Sequence, residues 1–338
     1  MIFDIIGDIH GYASKLEYLL KGLGYEEKQG VYSNSERKAI FVGDLIDRGP
    51  EQMKTIDIVY KMVTNGNAFA VMGNHEFNAI AYSLFDKDKA DFLRPRLGKQ
   101  GHKNYHHHQE FLKEVGQDTL LHKEKINWFL TLPIFLELED FKIIHACWHQ
   151  PMIEYAQQKL KDGKYLTEEL MYEACKDGKT LSMQTKKEDF NLFMAMETLM
   201  KGIELDLPNN HSFVDPHGIT RRKSRIAWWD MPNKNEQGLV NIKDLLLLPD
   251  SHLELLPNNL HMEYNNDFFP KRKPVFFGHY WREGETNILN DNCICVDYSA
   301  GKGKDLVCYS YDTETKEIDN KNFNSTKYLI NKSKKMSF

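Results

Sequence analysis

Asp8 and His10 stand one residue apart just past the apolar run of residues 2–6. In extended backbone, positions i and i+2 point the same way, so an Asp-X-His pair can offer an oxygen and an imidazole nitrogen to one metal ion. A second run, residues 39–42, ends in Gly43-Asp44-Leu45-Ile46-Asp47-Arg48-Gly49-Pro50. Asp44 follows its run as Asp8 follows the first, and a carboxylate with two oxygens can bridge two cations about 3.5–4 Å apart. Arg48 supplies a planar fork suited to phosphate. The third run, 68–72, ends in Gly73-Asn74-His75-Glu76. The Asn74 carbonyl oxygen can ligate a metal without adding charge. His75 beside it is placed as a proton donor, with Asp47 available to fix its tautomer and raise its pKa. Downstream, His145 and His279 each follow an apolar run. Any one of these is an ordinary loop residue; five strand-end turns carrying ligand types make a constellation.

The elements that must position them share one grammar. Three short apolar runs end in Gly-Asp or Gly-Asn, as buried strands do. Between the first two, residues 12–23 carry Leu16, Leu19, Leu20 and Leu23 at helical spacing; between the second and third, residues 52–63 carry Met53, Ile56, Val59 and Tyr60. The order βαβαβ puts the three turns at one edge of a parallel sheet, where ligands bind. Residues 77–85 and 109–115 predict helices, 134–138 with 141–146 a hairpin, and 274–277, 292–297 and 305–311 strands. The run His106-His107-His108 predicts an exposed loop or helix face. The expected layout is a single domain over 1–319, with a helix-rich insertion at about 151–225, a loop-rich segment at about 206–270 and a frayed polar tail at 320–338.

The blocks GDIHG (7–11), GDLIDRGP (43–50) and GNHE (73–76) resemble the signatures of the PPP-type metallophosphoesterases, the calcineurin-like family of serine/threonine phosphatases and diadenosine tetraphosphatases. The likeness continues in HACWH (145–149), FFGHYW (276–281) and CVDYSAGKGKDLVCYSY (295–311), and is looser after residue 150. It implies a four-layer α/β/β/α sandwich and two divalent or transition metal ions, manganese first, with iron or zinc as alternatives. Asp8, His10 and the bridging Asp44 would hold one ion; Asp44, Asn74, His145 and His279 the other. His75 with Asp47 would be the acid and its orienter, and Arg48 a phosphate clamp. The second phosphate arginine is one of Arg221, Arg222 and Arg225, all near Trp228-Trp229-Asp230-Met231-Pro232, with Arg225 preferred. The reaction implied is direct attack of an activated water on phosphorus, with no covalent phosphoenzyme. Two departures stand out: Trp148 and His149 replace small residues and would narrow the site, and Tyr298-Ser299 replace Thr-Gly.

Composition fits an ordinary globular protein: 41% hydrophobic and 28% charged residues suffice for a core, and a net charge of −5 gives no footprint for duplex nucleic acid. No apolar run approaches a membrane span and no leader is evident, which predicts a cytoplasmic protein. The five cysteines, unevenly spaced, do not describe a disulfide framework. The substrate is a phosphorylated molecule. Phosphomonoesters, phosphoserine or phosphothreonine in proteins among them, come first; a dinucleoside polyphosphate or other nucleotide is the alternative. An intact ligand set speaks against a non-catalytic scaffold, and Trp228 and Trp229 are candidates for stacking on a base or for core packing.

Overall fold

The structure, a computed structural model, describes all residues except 177, 183–184, 209–210, 215–219, 232–238, 259, 264–272, 291, 328 and 330–338. Two sheets form its centre. The larger runs β1 (Ile2–Ile6), β2 (Arg37–Phe41) and β3 (Ala68–Ala70) in parallel, and adds β8 (Val307–Asp312) antiparallel to β1 and β9 (Phe323–Ser325) at its edge. The smaller holds β4 (Phe135–Glu137) antiparallel to β5 (Lys142–Ile144), then β6 (Val275–Phe277) and β7 (Cys293–Cys295), with β5, β6 and β7 parallel.

The period-2 alternation of side chains assigns each strand residue to a layer. Ile5, Ile40, Val307, Tyr309 and Tyr311 of the first sheet meet Phe141, Ile143, Phe276 and Ile294 from the second in one inner cluster. Their neighbours Ile6, Ala39, Phe41, Ile144, Val275, Phe277, Cys293 and Cys295 face outward, into a second cluster shared with the helices. Helix α1 (Ala13–Gly22) buries Leu16, Leu19 and Leu20, and α2 (Gln52–Thr64) buries Ile56, Val59 and Met62. Helices on both outer faces of two packed sheets give the expected α/β sandwich.

The helix α3 (Asn74–Ser83) starts at the third Gly-Asn turn, and α4 (Gly98–Val115) is much longer than the 109–115 segment expected. Its buried stripe, Asn104, His108, Phe111, Leu112 and Val115, contradicts the exposed reading of the histidine run at one position: His106 and His107 are exposed, His108 is buried. After α5 (Leu120–Phe129) and the hairpin β4–β5, the insertion contributes α6 (Gln150–Lys159), α7 (Glu168–Ala174) and α8 (Leu192–Lys201). It is packed into the outer apolar cluster, and the backbone N–H groups of Ala146 and Cys147 donate to Leu199 O.

Two further expectations are corrected, and the choice left open at Trp228 and Trp229 is decided for the core. Trp148 is fully buried against Phe135, and His149 accepts the Met152 N–H as the N-cap of α6, so both serve packing and capping rather than narrowing a site. Trp228 donates its indole N–H to Ala146 O while Trp229 stacks on Phe277, which commits both rings to the core. The tail does not fray at 320, because Phe323 pairs with Tyr309 and is buried among aromatic side chains; 330–338 and Pro232 lie outside the described residues. No helix among the described residues is long and apolar enough to cross a membrane.

Candidate metal and phosphate site

The turns after β1, β2, β3, β5 and β6 converge. The first and second are tied backbone to backbone, Ile9 and His10 donating to Asp44 O and Gly11 to Leu45 O. The second and third press so close that a Cβ on Gly43, whose φ is +95°, would lie 2.4 Å from Gly73 N. Only glycine fits there. Glu76, fully buried, holds the pair: its carboxylate accepts the N–H groups of Asp44 (2.9 Å), Leu45 (2.8 Å) and Gly73 (2.9 Å). Burial, with Asp44 nearby, pushes the Glu76 carboxyl up to about 7.

Asp44 is the centre. Its Oδ2 lies 3.6 Å from His10 Nε2 and 3.8 Å from His75 Nε2, and its Oδ1 lies 3.4 Å from His145 Nε2. The ligand atoms of Asp44, His145 and His279 fall within 4.8 Å of one another, as do those of His10, Asp44 and His75. Asp8 joins neither trio; it leans toward the last turn, accepting the His279 N–H at Oδ2 (3.1 Å). Arg48 sits at the mouth with its guanidinium carbon 4.5 Å from the Trp281 ring centroid, and its Nε is buried without a partner. Arg225, on the short ribbon of 223–225 with 204–206, reaches close enough that its charge acts on His279.

These donors fit divalent cations. His10 donates Nδ1–H to Ile46 O and His145 donates Nδ1–H to Val42 O, both at 2.8 Å, so each ring turns its Nε2 inward. His145 Nε2 then faces Asn74 Oδ1 at 3.0 Å. Asp8 Oδ1, His10 Nε2 and both ring nitrogens of His279 are buried with no hydrogen-bond partner. Buried polar atoms that converge with no hydrogen-bond partner are costly unless a cation gathers them. The titration directions of Asp8, His10 and His279 agree, whereas at His145 burial lowers the pKa and the Asp44 carboxylate raises it by more, for a net upward shift. Burial, then Asp297 and Asp44, pushes Asp8 well above the carboxylate range, and burial pushes His10 down to about 3. Burial and then the Arg225 charge hold His279 well below its usual value.

His75 and Asp47 meet as their types suggested: His75 Nδ1–H donates to Asp47 Oδ2 at 2.5 Å. Against the burial that would lower it, Asp44 and Asp47 raise the His75 pKa, and the imidazole is still 12% exposed, enough to be reached. His108, from the middle of α4, donates Nδ1–H to the same Asp47 oxygen at 2.8 Å. Sequence reasoning missed both His108 and the role of Glu76. The signal for His108 was its place on the stripe with Asn104, Phe111, Leu112 and Val115, which a reading of the triplet as one block conceals.

The family profile described as calcineurin-like phosphoesterase matches residues 1–181. A bis(5'-nucleosyl)-tetraphosphatase PrpE [asymmetrical] of Oceanobacillus iheyensis is 36% identical over 147 residues, which are 43% of this chain and 55% of that protein. The protein of the same name from a Geobacillus strain is 49% identical over 76 residues, 22% of this chain and 31% of that protein. The chain thus spans about half or less of the length of these relatives. A solved protein serine/threonine phosphatase from Saccharomyces cerevisiae covers 96% of the chain, and is itself 78% covered, at 14% identity and a TM-score of 0.46. With more than half of its length matched by the family profile, the chain belongs to the calcineurin-like phosphoesterase family.

Proposed function

We propose that this protein is a metal-dependent phosphohydrolase whose substrates are nucleotides carrying a phosphate chain, of the dinucleoside polyphosphate kind. The observation that carries the reaction class is the gathering around Asp44 of buried groups of which Asp8 Oδ1, His10 Nε2 and both ring nitrogens of His279 have no hydrogen-bond partner. The substrate class is supported by the name borne by its relatives. The phosphoprotein reading has no observation of its own, since the metal core reads only a phosphate.

Asp8, His10 and Asp44 would hold one cation, and Asp44, Asn74, His145 and His279 the second; manganese, iron or zinc suits such an oxygen and imidazole set. When bound, the cations lower the pKa of a water and neutralise phosphoryl oxygens. The chain's own residues do the rest. Arg48, held over the Trp281 ring, aligns the phosphate with its free Nε, and Arg225 closes on it from the His279 side. His75 gives its Nε2 proton to the departing oxygen while Asp47 stabilises the imidazolium. His108 is a positioning residue that holds Asp47 from behind. Five free cysteines fit the reducing cytoplasm.

The test is phosphate release from p-nitrophenyl phosphate, phosphopeptides, ADP and diadenosine tetraphosphate with manganese added, alongside elemental analysis of wild type and Asp44→Ala. The variant should lose bound metal and activity together. Wild-type turnover in Asp44→Ala would end the metal reading, and a preference for phosphopeptides would end the nucleotide one.

A further inference from the structure

Arg94 is a half-buried guanidinium without an acid of its own. Among the described residues no carboxylate lies within salt-bridge distance of it, and its Nε is buried with no partner. The acidic groups whose charge reaches it are already engaged: Asp47 by two histidines, and Glu197 of α8 by Lys201. Burial pushes the Arg94 pKa down, yet a guanidinium remains charged at neutral pH. A cation whose Nε is buried and unpaired is unfavourable unless an acceptor completes it.

Its neutral neighbours sharpen the point. Arg94 donates to Asn78 Oδ1 at 3.0 Å and to His107 Nδ1 at 3.3 Å. Asn78 has thereby used its acceptor and keeps an amide NH2. His107, which burial and then the Arg94 charge push down to about 4, is neutral and carries its proton on Nε2. The atoms left over on all three residues are donors. Asn78 lies one turn beyond His75 on the same face of α3, and His107 adjoins the His108 that holds Asp47. The donor cluster therefore sits beside the acid, on the side from which a leaving group departs, whereas Arg48 and Arg225 serve the phosphate under attack.

We infer that Arg94, Asn78 and His107 form a second anion subsite that binds the leaving-group phosphate of a phosphoanhydride. This rests on the phosphohydrolase reading and narrows its substrate: the cleaved phosphoryl group is bonded to a further phosphate. Water's oxygen bonds to phosphorus, the bridging P–O bond breaks, its electron pair leaves on the departing phosphate, whose oxygen takes the His75 Nε2 proton, and the water proton passes to solvent. Arg94 meets the charge that appears on that departing phosphate.

The test compares wild type, Arg94→Ala and Arg94→Lys on ADP and on p-nitrophenyl phosphate, whose leaving group has no phosphate. It adds calorimetric binding of inorganic pyrophosphate against orthophosphate. Loss of a charge-assisted contact should lower kcat/KM on ADP about 10- to 100-fold, at least tenfold more than on the aryl ester, with partial recovery in the lysine variant. Pyrophosphate should bind wild type more tightly than orthophosphate does, and Arg94→Ala should erase that difference. Equal losses on both substrates, or no loss on either, would overturn the subsite while leaving the phosphohydrolase reading intact. A wild type inert toward every phosphate compound would instead overturn that reading. If Arg94→Ala does not fold, Arg94→Gln and His107→Ala take its place on the same two substrates, a selective loss on ADP supporting the subsite and an equal loss on both overturning it.

Discussion

Replacing His108 by alanine isolates the link between Asp47 and the proton donor. The bond lost is 2.8 Å long, joins an imidazole to a carboxylate, and is buried at both ends. Bonds of this kind contribute about 1.5–3 kcal/mol, so a loss felt wholly in the transition state is about 10- to 150-fold in kcat. The direction follows from the sharing. With one donor gone, Asp47 answers to His75 alone, becomes more basic and binds the imidazole proton harder. His75 is then a weaker acid. Aryl phosphates with poor leaving groups should therefore slow by the full factor and those with good leaving groups by only a few-fold, steepening the dependence of rate on leaving-group pKa. The basic limb of the pH profile should move to higher pH, because the raised His75 pKa rises further. His108→Asn, whose amide N–H can stand where Nδ1–H stood, should recover most of the loss, although either variant leaves a small void detectable as a lower Tm. A uniform loss across the aryl series, tracking Tm and not restored by asparagine, would reduce His108 to a packing residue and refute the argument.

Glu76→Gln puts an amide where three N–H groups now converge on a carboxylate, leaving at least one of them unpaired. Urea unfolding should show a loss of about 1–3 kcal/mol together with a lower metal content, and a change within about 0.5 kcal/mol would show that the two turns hold each other without Glu76. His149 bears on acid stability: burial pushes its pKa to about 3 against an ordinary 6.5, so between those values the unfolded chain binds the extra proton. Stability should fall as pH drops below 6.5, by up to about 1.4 kcal/mol per pH unit, and His149→Asn, which keeps the N-cap acceptor of α6, should flatten that slope in unfolding titrations from about pH 7.5 to 4.5. Parallel curves for the two proteins would show that His149 is paired differently when charged.

What could be read from the chain alone was whatever the chain keeps local. Asp8, His10, Asp44, Asn74 and His75 each sit within a few residues of a strand end, so strand periodicity and a glycine were enough to aim them. Asp47 and His75 come together because adjacent parallel strands bring their turns together. His108 reaches Asp47 from 61 residues away, and no local pattern records that pairing. Arg94 was invisible for the same reason, since its partners lie on two different helices. The tail was misread from composition: a single aromatic, Phe323, outweighs its polar neighbours once Tyr309 and Tyr298 offer it a place. Trp228 and Trp229 resisted assignment because an indole suits a base and a core equally well, and only the neighbours decide.

Five of the residues named above, His10, Asp44, Asp47, Arg48 and His279, have φ between +50° and +72°. Side chains other than glycine rarely adopt that conformation, and each such position costs on the order of 1 kcal/mol or more. The turns that gather the ligands are therefore a standing debt against the fold. A library of variants selected for heat resistance alone would drift toward glycine or asparagine at these positions, and the survivors would be hardier proteins with no chemistry. Retention of an aspartate, arginine or histidine at a left-handed turn, under a screen blind to activity, is thus a measure of how far stability and catalysis can be separated in this scaffold.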